Sequence, residues 1–301
     1  MVVMLKVFLV SFVGMKVDED SAVIMKALER RGIESRSVCW DDPSIDWSEP
    51  DLCIIKSASN YIFDQKAFTQ WTKTVEKTTP LWNNSRLFKW NHDKHYLQDL
   101  EQKGIPMPPS IFVSMKSKDN PSEILLNTEW SDIVIKPTIS CGSFGLKRFK
   151  ADSKEAEQYL TELTTEGYVQ EFMGDTITMS ACDAIIQPFI PEIINGEVSL
   201  FYFGGLFSHA VIKIAKTGDF RSHSIWGASV LQHNPSMEEL NVCDSIFNVI
   251  EPVEYARIDL VNTSNGPQVI EVELIEPFLF FDLSPEAAEN FVDHIEKSLN
   301  K

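Results

Sequence analysis

The sequence predicts an α/β protein in which a small parallel α/β domain comes first and antiparallel β-structure dominates the last third. Residues 5–12 and 34–40 are strand-like, and the helical stretch between them begins at the cap Asp18 and ends at Gly32. This strand–helix–strand spacing is typical of a parallel sheet, to which residues 51–56 add a third strand. In the last third, strands are predicted at residues 197–203, 206–214 and 222–229.

The middle of the chain combines a lysine with a loop rich in serine and glycine. The β-branched strand 130–137 ends near Lys136, and the loop follows at once. Backbone N–H groups of such a loop and the point charge of a lysine can bind polyphosphate. The Walker pattern is absent, and an ordinary hairpin turn is the alternative interpretation. The candidate phosphate-binding residues are Lys136, Ser140, Gly142, Ser143 and Gly145.

Pro188 interrupts the next apolar run, residues 184–190. Because interior strands avoid proline, we expect residues 187–191 to cross between lobes rather than to pair in a sheet. Helices are predicted at residues 63–76, 93–102, 153–164, 237–248 and 284–299. The predicted domains are residues 1–90, 91–188 and 189–301.

Two acidic residues interrupt an apolar strand near the C-terminus. Glu271 and Glu273 are two residues apart, so their side chains share one face of the strand. An Asn-Gly turn signal predicts a hairpin centred on Asn265, in which Asp259 lies opposite Glu271 and Arg257 opposite Glu273. A divalent cation would offset the repulsion between the carboxylates. The alternative is a solvent-exposed face with one Arg257–Glu273 ion pair.

Composition narrows the class of protein. The 301 residues are 44% hydrophobic and 24% charged, which is ordinary for a globular protein. A net charge of −17 argues against binding to nucleic acid. The five cysteines form no C-x-x-C pair, which favours reduced thiols in the cytoplasm. No apolar run is long enough to span a membrane, and the N-terminal apolar run is expected to be a buried strand rather than a signal peptide.

Several motifs, taken in chain order, resemble the ATP-grasp superfamily. They are Lys94 after Asn91, the Lys136-Pro137 strand end, loop 140–145, the Gln187-Pro-Phe-Ile segment, Gly196-Glu197, Arg221, Asp259 and Glu271-x-Glu273. Within the superfamily, the chain is similar to the glutathione-synthetase-like and the cycloserine-forming ligases. The stretches that resemble the second group are residues 40–47, 90–97, 208–213 and 276–280.

This resemblance implies a fold, a cofactor and a nucleotide site. The fold is an N-terminal Rossmann-like pre-ATP-grasp domain followed by a two-lobed ATP-grasp fold. ATP is the expected cofactor, with Lys94 and Lys136 at its phosphates and adenine and loop 140–145 over its β- and γ-phosphates. The adenine hinge would be Gln187, Pro188, Phe189 and Ile190, and Glu197 falls where the family holds the ribose.

The resemblance also implies a reaction. The metal ligands would be Asp259, Glu271 and Glu273, holding two Mg²⁺ ions for which Mn²⁺ is a substitute. Arg221, with Arg257 and Lys213, would stabilise charge on the transferred phosphoryl group and the acyl phosphate. The expected reaction phosphorylates the carboxylate of a small amino-acid-like substrate with ATP and then joins the acyl group to an amine, releasing ADP and phosphate.

The chain departs from these families at a few positions, and alternatives follow. Glu273 stands where glutathione synthetases usually carry asparagine, and Lys56 and Asn60 replace an arginine and an aspartate of the cycloserine-type group. Glu276 is expected on the strand face opposite the metal ligands. The alternative functions are an ATP-grasp kinase and a non-catalytic nucleotide-binding protein. Expected partners are small-molecule substrates, not nucleic acid or membrane, and a homodimer is kept open as the assembly.

Overall fold

The computed structural model describes residues 4–172 and 175–300. Its first part is a four-stranded sheet of order β2-β1-β3-β4 in which every pair is parallel, as the strand–helix–strand spacing predicts. Asp18 caps the first helix by accepting a hydrogen bond from the Ser21 N–H. The elements are β1 (Lys6–Ser11), α1 (Glu19–Arg30), β2 (Glu34–Cys39), β3 (Leu52–Ile55), α2 (Gln65–Val75), β4 (Leu81–Trp82) and α3 (Ser85–Asn91).

The helical segment that follows differs from its prediction. The helix predicted over residues 93–102 is present as α4 (Tyr96–Gln102), whereas α3, directly before it, has no counterpart in the prediction. The side chain of Asn84 caps α3 by accepting hydrogen bonds from the N–H groups of Arg86 and Leu87. At seven residues, α3 is too short for apolar periodicity to identify it.

The middle lobe is built on an antiparallel sheet of order β5-β10-β6-β7, beside a hairpin of β8 and β9. The expectation for Pro188 is wrong, because Pro188 is the last residue of β10 and pairs with Ile133. Phe189 N–H donates to the Asp132 carbonyl, on the side of β6. The nitrogen of Pro188 therefore faces the side of β5, and no hydrogen bond is lost there because β5 pairs with β10 only as far as Ile186. The elements are β5 (Ile111–Val113), α5 (Pro121–Leu126), β6 (Asp132–Pro137), β7 (Lys147–Lys150), α6 (Lys154–Thr161), β8 (Tyr168–Phe172), β9 (Asp175–Met179) and β10 (Ala184–Pro188).

The last part is a five-stranded antiparallel sheet of order β13-β12-β11-β14-β15. The strand predicted at residues 222–229 is wrong, because Asp219 accepts the N–H groups of Phe220 and Arg221 and turns the chain before the short strand β13 begins at Ser229. The elements are β11 (Glu197–Phe203), β12 (Leu206–Ile214), β13 (Ser229–Gln232), α7 (Met237–Phe247), β14 (Tyr255–Thr263), β15 (Gly266–Glu273) and α8 (Pro285–Leu299).

The two ends of the chain share one hydrophobic core. Phe291 of α8 packs on Trp82 of the first sheet, with ring centroids 5.6 Å apart, and on Phe203 of the last sheet, at 4.8 Å. Ion pairs from Arg31 to Glu289 and Asp293 join α1 to α8 at the surface. Among the described residues, no helix has both the length and the apolarity needed to cross a membrane.

His209 of β12 lies in this core. Its ring stacks on Phe201 at 4.3 Å, and Nε2–H donates to the Leu279 carbonyl at 2.7 Å. Burial lowers the pKa of His209 from 6.5 to about 4. Between these values the unfolded chain binds a proton that the folded protein does not bind, so falling pH favours unfolding.

We expect His209 to lower the free energy of unfolding by up to about 1.4 kcal/mol per pH unit as pH falls from 6.5 to 4. His209→Gln removes this contribution, so the pH slope of its unfolding free energy should differ from that of the wild type by about one proton. Urea unfolding at several pH values across this window measures both slopes. Equal slopes for the variant and the wild type would contradict the assignment.

Candidate active site

The acidic hairpin of β14 and β15 has the predicted pairing at its site. Arg257 lies opposite Glu273 and Asp259 opposite Glu271, which confirms the register expected from the sequence. The turn itself is one residue earlier than predicted, since Thr263 pairs with Gly266. A β-bulge between Asp259 and Leu260 takes up the extra residue and restores the register.

Side chains from outside the sheet bond the free edge of β15. Tyr96 Oη accepts the Val272 N–H, and Asn91 donates to the Val272 carbonyl and accepts the Leu274 N–H. The amide of Asn83 donates to the carbonyls of Leu274 and Tyr255. The backbone around Glu273 is therefore bonded on both sides, although β15 is an edge strand.

Buried cations face the three carboxylates. Arg257 lies between Asp259, at 2.9 Å, and Glu273, which it also contacts. The Nζ atom of Lys213 is 3.2 Å from Asp259, and the Nζ atom of Lys94 is 3.1 Å from Glu271. Ser199 adds a hydroxyl hydrogen bond of 2.6 Å to Asp259.

The three carboxylates have different proton affinities. Burial alone would raise their pKa values, but Arg257 and Lys213 hold the pKa of Asp259 well below its usual range. Lys94, with Lys136, likewise lowers the pKa of Glu271. Burial prevails at Glu273 and raises its pKa to about 7. Glu271 and Glu273 keep 31% and 28% of their side-chain area exposed, and this area faces a cavity.

One oxygen from each of Asp259, Glu271 and Glu273 lies within 4.8 Å of the other two. Among residues 4–172 and 175–300, no other set of three or more acidic, histidine or cysteine side chains has its ligand atoms close enough together to share a metal ion. Carboxylate oxygens are the ligands that Mg²⁺ prefers.

The serine- and glycine-rich loop lies beside this cluster. Lys94 Nζ donates to the Ser140 carbonyl at 2.9 Å and so connects the loop to Glu271. Ser143 has a φ of 61°, uncommon for a residue with a side chain. Gly145 has a φ of 75°, and a Cβ there would lie 2.7 Å from the Pro137 ring, so only glycine fits. The Gly142 carbonyl accepts the indole N–H of Trp226.

Two cavities divide the candidate residues between them. The larger, of about 470 Å³, extends from the first sheet to the acidic hairpin. The predicted residues that line it are Lys94, Ser140, Gly142, Arg257, Glu271 and Glu273. The smaller, of about 100 Å³, is lined by Lys136, Ser143, Gln187, Pro188, Phe189, Ile190, Glu197 and Arg221.

Several predicted residues have specific surroundings. Lys213 is buried and lines neither cavity. Its ammonium group forms ion pairs with Asp259 and Glu197. Arg221 lines the smaller cavity rather than the one that holds Arg257; Asp219 binds its guanidinium, which stacks on Trp226 at 3.6 Å. Gly145 and Asp259 line neither cavity.

The expectation that Glu276 faces away from the metal ligands is wrong. Glu276 lines the larger cavity together with Glu271 and Glu273. The parity argument does not reach it, because β15 ends at Glu273 and the chain then turns. Asp18 lines the same cavity, although the sequence predicts it only as the cap of the first helix.

Comparison with known proteins identifies the family. Residues 92–276 match the RimK-like ATP-grasp domain, and residues 7–83 match the N-terminal domain of D-cycloserine synthetase DcsG. The chain belongs to the RimK-like ATP-grasp family. It is an ATP-dependent ligase of the type that joins a carboxylate to an amine.

Two curated relatives of this ATP-grasp ligase are informative. The chain is 26% identical to the cycloserine biosynthesis protein DcsG of Streptomyces lavendulae, over 95% of the chain and 96% of the relative. It is also 26% identical to a probable alpha-L-glutamate ligase of Vibrio parahaemolyticus, over 72% of the chain and 67% of the relative.

Solved structures share the fold. A crystal structure of D-cycloserine synthetase DcsG superposes with a TM-score of 0.82 at 23% identity and covers 98% of this chain and 99% of that one. D-alanine–D-alanine ligase from Bacillus anthracis complexed with ATP gives a TM-score of 0.71 at 16% identity, with coverages of 98% and 97%. The expected ATP-grasp fold is confirmed.

Arg257→Met removes the cation shared by Asp259 and Glu273 and leaves buried carboxylates uncompensated, so we expect the free energy of unfolding to fall by about 3–5 kcal/mol. Urea unfolding at pH 7 measures the change. The control is Arg86→Met, which removes an exposed ion pair with Glu251 and should cost under about 1 kcal/mol. Similar small losses in both variants would contradict the role given to Arg257.

Proposed function

We propose that this ATP-grasp ligase phosphorylates the carboxylate of a small amino-acid-like substrate with ATP and joins the resulting acyl phosphate to an amine, and that Asp259, Glu271 and Glu273 hold Mg²⁺ for this reaction. The observation that carries the proposal is the position of these three carboxylates. Glu271 and Glu273 line the larger cavity together with Ser140 and Gly142 of the serine- and glycine-rich loop, and a carboxylate oxygen of the buried Asp259 lies within 4.8 Å of one oxygen of each.

The charges of the site support the Mg²⁺ part of the proposal. Four carboxylates face four cationic side chains, so the protein groups nearly neutralise one another. ATP carries about four negative charges, which then need cations from solution. Two Mg²⁺ ions held by Asp259, Glu271 and Glu273 would supply this charge. The carboxylates are Glu197, Asp259, Glu271 and Glu273, and the cations are Lys94, Lys136, Lys213 and Arg257.

Two polar groups in the smaller cavity support its assignment to the nucleotide. Among the described residues, neither a hydrogen bond nor an ion pair engages the ammonium group of Lys136, and burial lowers its pKa to about 8. The hydroxyl of Ser222 is buried without a partner. Unpaired groups of this kind are costly, and a bound nucleotide would compensate them: the phosphates would pair with Lys136, and the adenine would lie against the segment 187–190.

The larger cavity supports a small substrate. Its volume of about 470 Å³ is within the range of small-molecule sites. Bound Mg²⁺ would neutralise charge on the transferred phosphoryl group. Around it, Arg257 and Lys94 can stabilise the developing charge through preorganised N–H groups, and the serine- and glycine-rich loop can exclude water.

Incubation of the protein with ATP, Mg²⁺ and a panel of L- and D-amino acids, with hydroxylamine as a trap, tests the proposal. We expect hydroxamates together with ADP and free phosphate. A phosphorylated product without free phosphate would instead support a kinase. Nucleotide binding without turnover on this panel would contradict the ligase assignment.

Glu271→Gln should reduce Mg²⁺-dependent turnover by more than the roughly 10–100-fold that changes outside the ligand shell cause, because it removes a charge that the cation needs. The fold should be retained, as judged by circular dichroism. Glu251→Gln, on the exposed surface, is the control and should keep full turnover. Wild-type activity in Glu271→Gln would contradict the metal assignment.

Lys136 makes nucleotide affinity depend on pH. Its pKa of about 8 means that the free protein loses this charge above pH 8, while bound phosphates keep it, so ADP affinity should fall by up to about tenfold per pH unit above that value. Lys136→Met should bind ADP more weakly at pH 7 and show no such fall. Lys150→Met, on the exposed end of β7, is the control. Calorimetric titration at pH 7, 8 and 9 measures the affinities, and a pH-independent wild type would contradict the assignment.

We also propose a location for the protein and keep an assembly open to test. The five cysteines are free thiols, which supports the reducing cytoplasm as the site of action. The homodimer kept open from the sequence stays a prediction that size-exclusion chromatography with light scattering can test.

A further inference from the structure

Glu276 is a carboxylate that neither the nucleotide nor the metal assignment uses. It follows β15 and lines the larger cavity, on the same wall as Glu271 and Glu273. In the part of the chain that the structure describes, its carboxylate has no hydrogen bond and no ion pair. It lies outside the group of side chains whose oxygens are close enough to share a metal ion.

The charged groups around Glu276 leave it uncompensated. They are Glu273, Lys56, Arg257 and Asp18. Arg257 is already bound to Asp259 and Glu273. Burial, followed by repulsion from Glu273, raises the pKa of Glu276 to about 8. Neutral titratable groups nearby are Tyr61, Cys141 and Tyr255.

Lys56 is committed elsewhere. It is 3% exposed, and its Nζ atom donates to the Pro277 carbonyl at 3.0 Å and lies 3.6 Å from Asp20. Lys56 lines the cavity, but its charge is already paired with Asp20. Asp18 and Glu276 line this end of the cavity, and a cationic substrate group would favour the ionised form of Glu276 by supplying the charge partner that the protein does not.

The backbone on both sides of Glu276 is held in place. Tyr255 Oη donates to the Ile275 carbonyl at 2.8 Å, and Lys56 bonds the Pro277 carbonyl. Farther along, the Asp20 carboxylate accepts the N–H groups of Leu279 and Phe281. A carboxylate on such a fixed segment is preorganised for a ligand.

We propose that Glu276 binds the ammonium group of the nucleophilic substrate and is the base that removes its proton before it attacks the acyl phosphate. The assignment rests on the proposed function, because it needs an acyl phosphate beside Glu271 and Glu273. A base with a pKa near the working pH is also the most effective one, which fits the environment described above.

The step balances. Glu276 takes one proton from R–NH₃⁺ and leaves a lone pair on nitrogen. That pair forms the C–N bond at the acyl carbon, and the C–O bond to phosphate breaks with its electrons on the leaving oxygen. The second nitrogen proton passes to the departing phosphate, which gives an amide and inorganic phosphate.

Hydroxylamine separates this role from acyl phosphate formation, because it is uncharged at neutral pH and needs no base. Hydroxamate and amide formation should be compared for wild type and Glu276→Gln with ATP, Mg²⁺ and the amino-acid panel, each amino acid serving as donor and as nucleophile. We expect hydroxamate formation to stay within about threefold of wild type and amide formation to fall about 100-fold or more. Glu251→Gln is the matched surface control and should change neither rate.

The rates of hydroxamate and amide formation also show which results would contradict the assignment of Glu276. An equal loss of both products in Glu276→Gln, or no loss of either, would overturn the assignment while the wild-type hydroxamate still supports the ligase chemistry. Absence of hydroxamate from the wild type would overturn the proposed function and this assignment with it. Retention of hydroxamate formation shows directly that the variant is folded. Glu276→Asp, which keeps the carboxylate, should recover part of the amide rate, and no recovery would count against a base at this position.

Discussion

Strand β15 carries two of the three metal-site candidates, and side chains of the segment before the middle lobe form hydrogen bonds with its free edge. An edge strand normally leaves its outward N–H and C=O groups to water, and each such group costs about 1–3 kcal/mol if it is buried unpaired. Asn83, Asn91 and Tyr96 supply the missing partners. The same segment carries Lys94, in the turn between α3 and α4, to Glu271. One short segment therefore both fixes the acidic strand and supplies its charge partner.

Charge balance explains the departure at Glu273. An extra carboxylate in a metal site is costly unless a cation faces it, and Arg257 lies directly opposite in the hairpin and contacts it. The register that sets Glu273 beside Arg257 also sets Asp259 beside Glu271. The register of the hairpin therefore places Arg257 where it contacts both Asp259 and Glu273.

Local patterns predict local features of this protein well. The two-residue period and the Asn-Gly turn were enough to pair Asp259 with Glu271, and the β-bulge that corrects the turn by one residue left no sequence signal. Long-range partners could not be read in this way, as for the amide of Asn91, which meets a strand 181 residues away. The alternation of side chains along a strand did not predict the position of Glu276, because β15 ends at Glu273. The rule that interior strands avoid proline did not apply to Pro188, because β10 pairs there only with β6 and needs no N–H on the other side.

Helix α8 lies between the first sheet and the last one, and its contacts with α1, β11 and β12 join the two ends of the chain into one body. The middle lobe has a separate core of its own. The helix therefore covers the apolar faces of both sheets, and its deletion would expose both faces to solvent. If the protein closes over a bound nucleotide, the moving part is the middle lobe, because the beginning and the end of the chain share one core.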